Sequence, residues 1–227
     1  LDFPQWYTDV VKKAELVEAN KDFIQFEIYF KVLTNNEIVE QHHTNVYLSD
    51  RQFSNYDEVN KTKGTNITSK GKTFITQIGY QEENNYMLPG MSRTYYASDA
   101  IRIGVTSDSN NFIYDVSENE ERGFGSIYGA KDYYEKKLDK KLMIPEIPNN
   151  MIYKLTQYSK IQNDIAIDNE SLVSKLTLRK TLNGYYEYTG KATVSIWIEG
   201  WDADAFDAIY EDKLKIQLSF KAARYLS

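Results

Sequence analysis

The segment from Asp22 to Leu33, DFIQFEIYFKVL, constrains the fold more than any other part of the chain. Ile24, Phe26, Ile28, Phe30 and Val32 share one parity, and Gln25, Glu27, Tyr29 and Lys31 share the other. A helix would scatter these apolar groups around its axis. A strand gathers them on one face, so strict alternation over this length specifies a half-buried β-strand. A strand with one apolar face needs a second layer to cover it, and the rest of the chain supplies more strands of the same kind.

TNVYLS at 44–49 reads as a second strand, and FITQIGY at 74–80 as a third with Phe74, Thr76, Ile78 and Tyr80 aligned. AIRIGV at 100–105 alternates through Ile101, Ile103 and Val105. FIYDV at 112–116 is expected to pair with it across SDSNN, a stretch with hairpin-loop chemistry. LVSKLTLRKTL at 172–182, YYEYTGKATVSIWIEG at 185–200 and KLKIQLSF at 213–220 continue the series, with Val194, Ile196 and Ile198 on one face and Trp197 on the other. Residues 117–150 break the pattern. There Ala130, Tyr134, Leu138 and Leu142 recur every fourth residue and predict a helix of about three turns. Pro145 and Pro148 then exclude its continuation. About eight strands with one or two short helices and no internal repeat predict an all-β antiparallel β-sandwich. It would occupy 21–227 as a single domain, with a loop–helix excursion at about 117–150 and an N-terminal arm over 1–20.

Bulk properties remove several function classes. The net charge of −6 argues against a nucleic-acid partner. There is no cysteine, which excludes disulfides, thiolate metal sites and a Cys nucleophile. No apolar run approaches the roughly 18 residues of a membrane-spanning helix. The 19 tyrosines suit strands with one wet face. Tyr95-Tyr96, Tyr133-Tyr134 and Tyr185-Tyr186 are doubled, and period two puts one of each pair in the core and the other at the surface.

Catalytic candidates are few. His42 and His43 are adjacent on a strand, so they point to opposite faces and are ill placed to share a metal. The richest constellation is acidic: Asp202, Asp204, Asp207, Glu211 and Asp212 follow Gly200. Calcium needs about six to eight oxygen ligands around a tight, usually glycine-enabled turn. Here Phe206 takes a ligand place and the central glycine is missing. The spacing predicts a short helix instead, with Asp202 as N-cap, Asp204 in its first turn, and Phe206, Ile209 and Tyr210 as its apolar stripe. Asp202, Asp204 and Asp207 stay as weak calcium candidates, and no other cofactor is expected. A glycosidase pairing of Glu199 with Asp202 can be proposed, but the sequence gives no cleft for it.

The run Ile196-Trp197-Ile198-Glu199-Gly200, then Asp202, Ile209 and the strand Lys213–Phe220, resembles the C-terminal region of TasA/camelysin-like proteins, exported by Gram-positive bacteria. Leu88-Pro89-Gly90 leading toward AIRIGV is a second point of similarity. The resemblance implies a jelly-roll-like sandwich, secretion after removal of a signal peptide, and assembly into extracellular fibres of the biofilm matrix or cell surface. It also implies assembly by donor-strand complementation, in which one subunit's N-terminal segment completes a neighbour's sheet. Leu1, Phe3, Trp6, Tyr7, Val10 and Val11 are the donor residues this chain offers. Camelysin-type relatives have been assigned as metallopeptidases. This chain lacks a zinc-binding helix, so it is expected to be no enzyme. Its expected partners are copies of itself and other surface or matrix components. The alternative is a monomeric secreted β-sandwich that binds carbohydrate or calcium.

Overall fold

The computed structural model describes residues 17–35, 44–124 and 126–225. The proposed donor residues Leu1, Phe3, Trp6, Tyr7, Val10 and Val11 lie outside them, as do His42 and His43. The architecture is all-β, as alternation predicts. Sixteen strands are described, twice the expected number, because several are only two to four residues long.

Two sheets form the sandwich. The larger contains β1 (Ile24–Thr34), β8 (Ile101–Thr106), β9 (Asn111–Asp115), β10 (Met151–Ile152), β13 (Thr177–Leu182) and β14 (Tyr185–Ile198). Its order is β1-β14-β8-β9-β10, with β13 also on β14. The smaller has the order β11-β16-β2-β12, from β2 (Thr44–Leu48), β11 (Ile165–Ala166), β12 (Leu172–Lys175) and β16 (Phe220–Tyr225). Pairing is antiparallel except for the short β9–β10 and β11–β16 contacts. The expected 100–116 hairpin forms, with Arg102 opposite Asp115 and Thr106 opposite Asn111.

Ile101, Ile103, Val105, Phe112, Tyr114, Val194 and Ile196 of the larger sheet meet Leu48, Val173 and Phe220 of the smaller. This is the layered core that each apolar face requires. Ile198 keeps the parity of Val194 and Ile196 and is exposed at the strand's end.

Two expected single strands are corner-turning pairs. In 172–182 the chain leaves β2 after Lys175. Leu176 is buried and donates its N–H to Thr44 O at 3.1 Å, and β13 then pairs with β14. In 213–220, β15 (Leu214–Gln217) pairs with β3 (Asn66–Ser69). At Ser219 the chain crosses to β2: its N–H bonds Thr65 Oγ1 at 2.9 Å and its carbonyl accepts Ser49 N–H at 3.0 Å. In 213–220 the apolar parity holds across the break, because Leu214, Ile216, Leu218 and Phe220 all pack on the same core. In 172–182 it does not, since Val173 enters that core while Leu172 and Leu176 join separate clusters and Leu178 is exposed. The 74–80 segment also breaks. β4 (Lys72–Ile75) pairs with β7 (Ser92–Tyr95), and Thr76 Oγ1 donates to Ile78 O, turning the chain before β5 (Tyr80–Glu82) pairs with β6 (Asn85–Met87).

The excursion carries helix α1 (Ala130–Leu138), shorter than the spacing predicts. Asp139 closes it in a left-handed conformation, φ 50°. Leu142 lies beyond the helix and is nonetheless buried, because its side chain packs in the same cluster as Tyr133 and Tyr134 while Glu135 accepts its N–H at 2.9 Å. Tyr133 and Tyr134 are both buried, against the one-in, one-out expectation. On a helix consecutive residues are about 100° apart, so both can reach one cluster.

That cluster is a second core of rings. Phe206 sits at its centre, 4.2 Å from Tyr95, 4.7 Å from Phe74, 5.5 Å from Tyr80 and 5.7 Å from Tyr133 between ring centroids. Tyr210, expected beside it, is exposed. Phe206→Ala is expected to destabilise the protein by about 3–5 kcal/mol in denaturant titration. Near-UV circular dichroism should weaken at the same time, because the tyrosine cluster loses its central ring.

Candidate functional site

The acidic segment after β14 does not begin a helix at Asp202. The only helical turn there is a 3₁₀ turn, Asp207–Glu211, whose N-cap is Phe206 with no side-chain bond. Asp202 and Asp204 are instead buried against two arginines.

Arg102 is the first. It lies on β8 between Ile101 and Ile103, so period two turns its side chain away from the sandwich core. The face it occupies is covered by the 117–124 loop and the turn after β14, and Arg102 is fully buried. Its Nη2 lies 2.6 Å from Asp202 Oδ2 and 2.9 Å from Asp115 Oδ2. Its Nη1 donates to Ile101 O at 3.0 Å. Asp115 Oδ1 accepts Ser117 N–H at 3.0 Å and Oγ–H at 2.8 Å, and Asp202 Oδ1 accepts Asp204 N–H at 2.8 Å. Asp115 Oδ2 and Arg102 Nε make no hydrogen bond among the described residues, so charge alone holds that oxygen.

Arg122 is the second. Its Nε donates to Asp204 Oδ2 at 3.1 Å and its Nη2 to Asp204 Oδ1, a fork that matches the carboxylate edge. Its Nη1 bonds Glu82 Oε1. Glu82 is fully buried, lies 3.3 Å from Arg93, and accepts Tyr95 O–H at 2.8 Å; Tyr95 in turn is 2.6 Å from Tyr80 Oη. The Ala203 N–H donates to Arg122 O at 3.0 Å, and the Ala203 carbonyl accepts Ala130 N–H at 2.8 Å. A polar chain thus runs from Tyr80 through Tyr95, Glu82, Arg122, Asp204, Asp202 and Arg102 to Asp115. It joins β5, β7, β8, β9, the 117–124 loop and the turn after β14.

Two glycines permit this closeness. A Cβ on Gly123 would meet Asp115 Oδ2 at 2.7 Å. Gly129 has φ 67°, and a Cβ there would meet Ala203 O at 2.4 Å.

Arg102 carries one positive charge between two carboxylates. With both ionised the buried triad would hold a net negative charge, which a low-dielectric interior disfavours. Burial raises Asp115 above the usual carboxylate range and pushes Asp202 up to about 8, against the pull of Arg102. The triad therefore retains a proton near neutrality. The folded state binds this proton more tightly than the unfolded chain. Its contribution to stability is full below the unfolded pKa near 4 and is lost as pH rises toward 8.

Asp207 is exposed and joins neither arginine; its backbone N–H donates to Tyr134 Oη at 2.9 Å. The three aspartates do not converge on one point. Among the described residues no group of three or more His, Asp or Glu is arranged to hold a metal. Glu199 is spent locally, accepting Trp197 Nε1–H at 3.2 Å and Trp201 N–H at 3.1 Å. Asp212 accepts the Gly71 and Ala97 N–H groups and ties the segment to the β4–β7 strand pair.

No local motif marks Arg102, Arg122, Asp115 or Glu82. The one available signal is the hairpin, whose loop places Arg102 opposite Asp115. Comparison with family models, with curated proteins and with solved structures finds no match to this chain.

Arg102→Met should cost about 3–5 kcal/mol, because it leaves two buried carboxylates without their cation. Asp202→Asn keeps an acceptor for Asp204 N–H and removes the titrating group. Urea unfolding of the parent chain between pH 4 and pH 8 should show a decline in stability from this site. The decline should be shallower in Asp202→Asn.

Proposed function

We propose that the protein is a non-enzymatic structural subunit of an extracellular filament, assembling head to tail by donor-strand complementation. The observation that carries this reading is an apolar N-terminal arm preceding a sandwich with open strand edges. Among the described residues, β1 and β10 end the larger sheet and β11 and β12 the smaller. An extended segment from another copy adds to such an edge through backbone hydrogen bonds, and alternate side chains set its register. Head-to-tail contacts do not close on themselves and so extend into fibres. The C-terminal likeness to exported fibre proteins supports the same reading, and secretion follows from it.

The polar chain around Arg102 and Arg122 fits a scaffold role. Its members are buried and bonded to one another, which leaves them little scope to meet a substrate. No helix among the described residues is long and apolar enough to cross a membrane.

The alternative, a secreted module that binds glycans, is favoured by one feature. An open groove beside β1, β13 and β14 is lined by Tyr29, Lys31, Lys175, Arg179 and Lys191.

Negative-stain electron microscopy of the purified chain should show regular filaments, and deletion of residues 1–12 should abolish them. Unchanged filaments after the deletion would exclude the arm as donor. A monomer near 26.4 kDa that gains thermal stability with an acidic glycan would favour the groove reading.

A further inference from the structure

Among the described residues β1 is the longest strand at a sheet edge, and its outer side has a defined pattern. β14 occupies one side of it over the whole of Ile24–Thr34. Among the described residues no strand pairs with the other. Asn20 closes only the start of that side: its N–H donates to Phe23 O at 2.6 Å, and its Oδ1 accepts Gln25 N–H at 2.9 Å. Alternation of an antiparallel ladder then turns the N–H and C=O of Glu27, Tyr29, Lys31 and Leu33 to the same open side. A long edge that presents unpaired backbone and apolar side chains is a template for another strand. Ile24, Phe26, Tyr29 and Leu33 are all exposed.

We propose that this edge pairs with β1 of a second copy, antiparallel, about a two-fold axis through Tyr29. The strand's own charges select that partner and register. Centred on Tyr29, the pairing sets Glu27 opposite the second copy's Lys31, and Lys31 opposite its Glu27. Centred two residues earlier it sets Glu27 on Glu27, and two residues later Lys31 on Lys31. Like charges directly opposite oppose pairing and unlike charges favour it. On the sandwich-facing side the same register sets Phe26 opposite Val32 and Ile28 opposite Phe30, continuing a half-covered apolar face across the junction. Glu27, Tyr29 and Lys31 supply the outward backbone groups, so each opposed pair exchanges two hydrogen bonds.

This contact is isologous and closes at two copies. It leaves the edges at β10, β11 and β12 for the donor arm of the filament, and would join two filaments side by side, or two subunits where no filament forms.

The lack of cysteine makes the test direct. In the proposed register the Tyr29 Cα atoms are about 5.5 Å apart, within the span of a disulfide, roughly 4.4–6.8 Å. Full-length Tyr29→Cys, oxidised under mild conditions and run without reductant, should give a covalent dimer and no higher species. Leu33→Cys, whose partner position is Gln25, should give about tenfold less. In the Tyr29→Cys background, Glu27→Lys should suppress the dimer by placing Lys against Lys31, and the added swap Lys31→Glu should restore it. Equal cross-linking at positions 29 and 33, no dimer at either, or no rescue by the double swap would overturn the proposal. Circular dichroism of each variant separates loss of pairing from loss of fold. Deleting residues 1–12 tests the filament reading alone, so the two can fail independently.

Discussion

A guanidinium buried between two carboxylates is the constraint on which much of the structure depends. Arg102 leaves water entirely, and an unpaired charge there would be prohibitive. Asp115 comes from the neighbouring strand, but Asp202 comes from a turn far along the chain. The turn after β14 is therefore held over the outer face of the larger sheet. Once it is there, Asp204 meets Arg122, Ala203 bonds the 117–124 loop and the start of α1, and Phe206 enters the aromatic cluster. Layers that alternation alone would leave loosely apposed are fixed by charge.

Such a network is not a simple source of stability. Buried ion pairs often lose to a well-packed apolar core of the same volume, and in some proteins what they add is geometric specificity. In this chain the excursion and the last third of the sequence could pack against the outer face in many ways. Few of those arrangements give both arginines their partners. The polar chain also accounts for Asp202 and Asp204 without invoking a ligand.

The strand elements were legible where they were long. Period two identified β1, β8, β9 and β14, and the loop SDSNN identified the hairpin. The breaks within 74–80, 172–182 and 213–220 were not legible. In 74–80 and 213–220 the apolar parity runs unchanged through the break, and in 172–182 the alternation in the sequence does not show where burial stops. The switches are made by hydrogen bonds to distant residues such as Thr44, Ser49 and Thr65. The burial of both Tyr133 and Tyr134 was hidden for a related reason: a strand-based expectation does not carry over to a helix.

By itself the sequence determined that the chain is all-β, that 117–150 departs from the strand pattern, and that aspartates crowd one turn. These follow from periodicity and local spacing, which act over a few residues. Only the tertiary structure decided what the aspartates do. Asp202 and Asp204 read locally as a helix start, because negative charge suits that position. Their partners Arg102 and Arg122 lie about a hundred and about eighty residues earlier. Coulombic attraction across that separation operates only after the strands have paired and the turn has folded back. No local pattern could assign the aspartates to those arginines in advance.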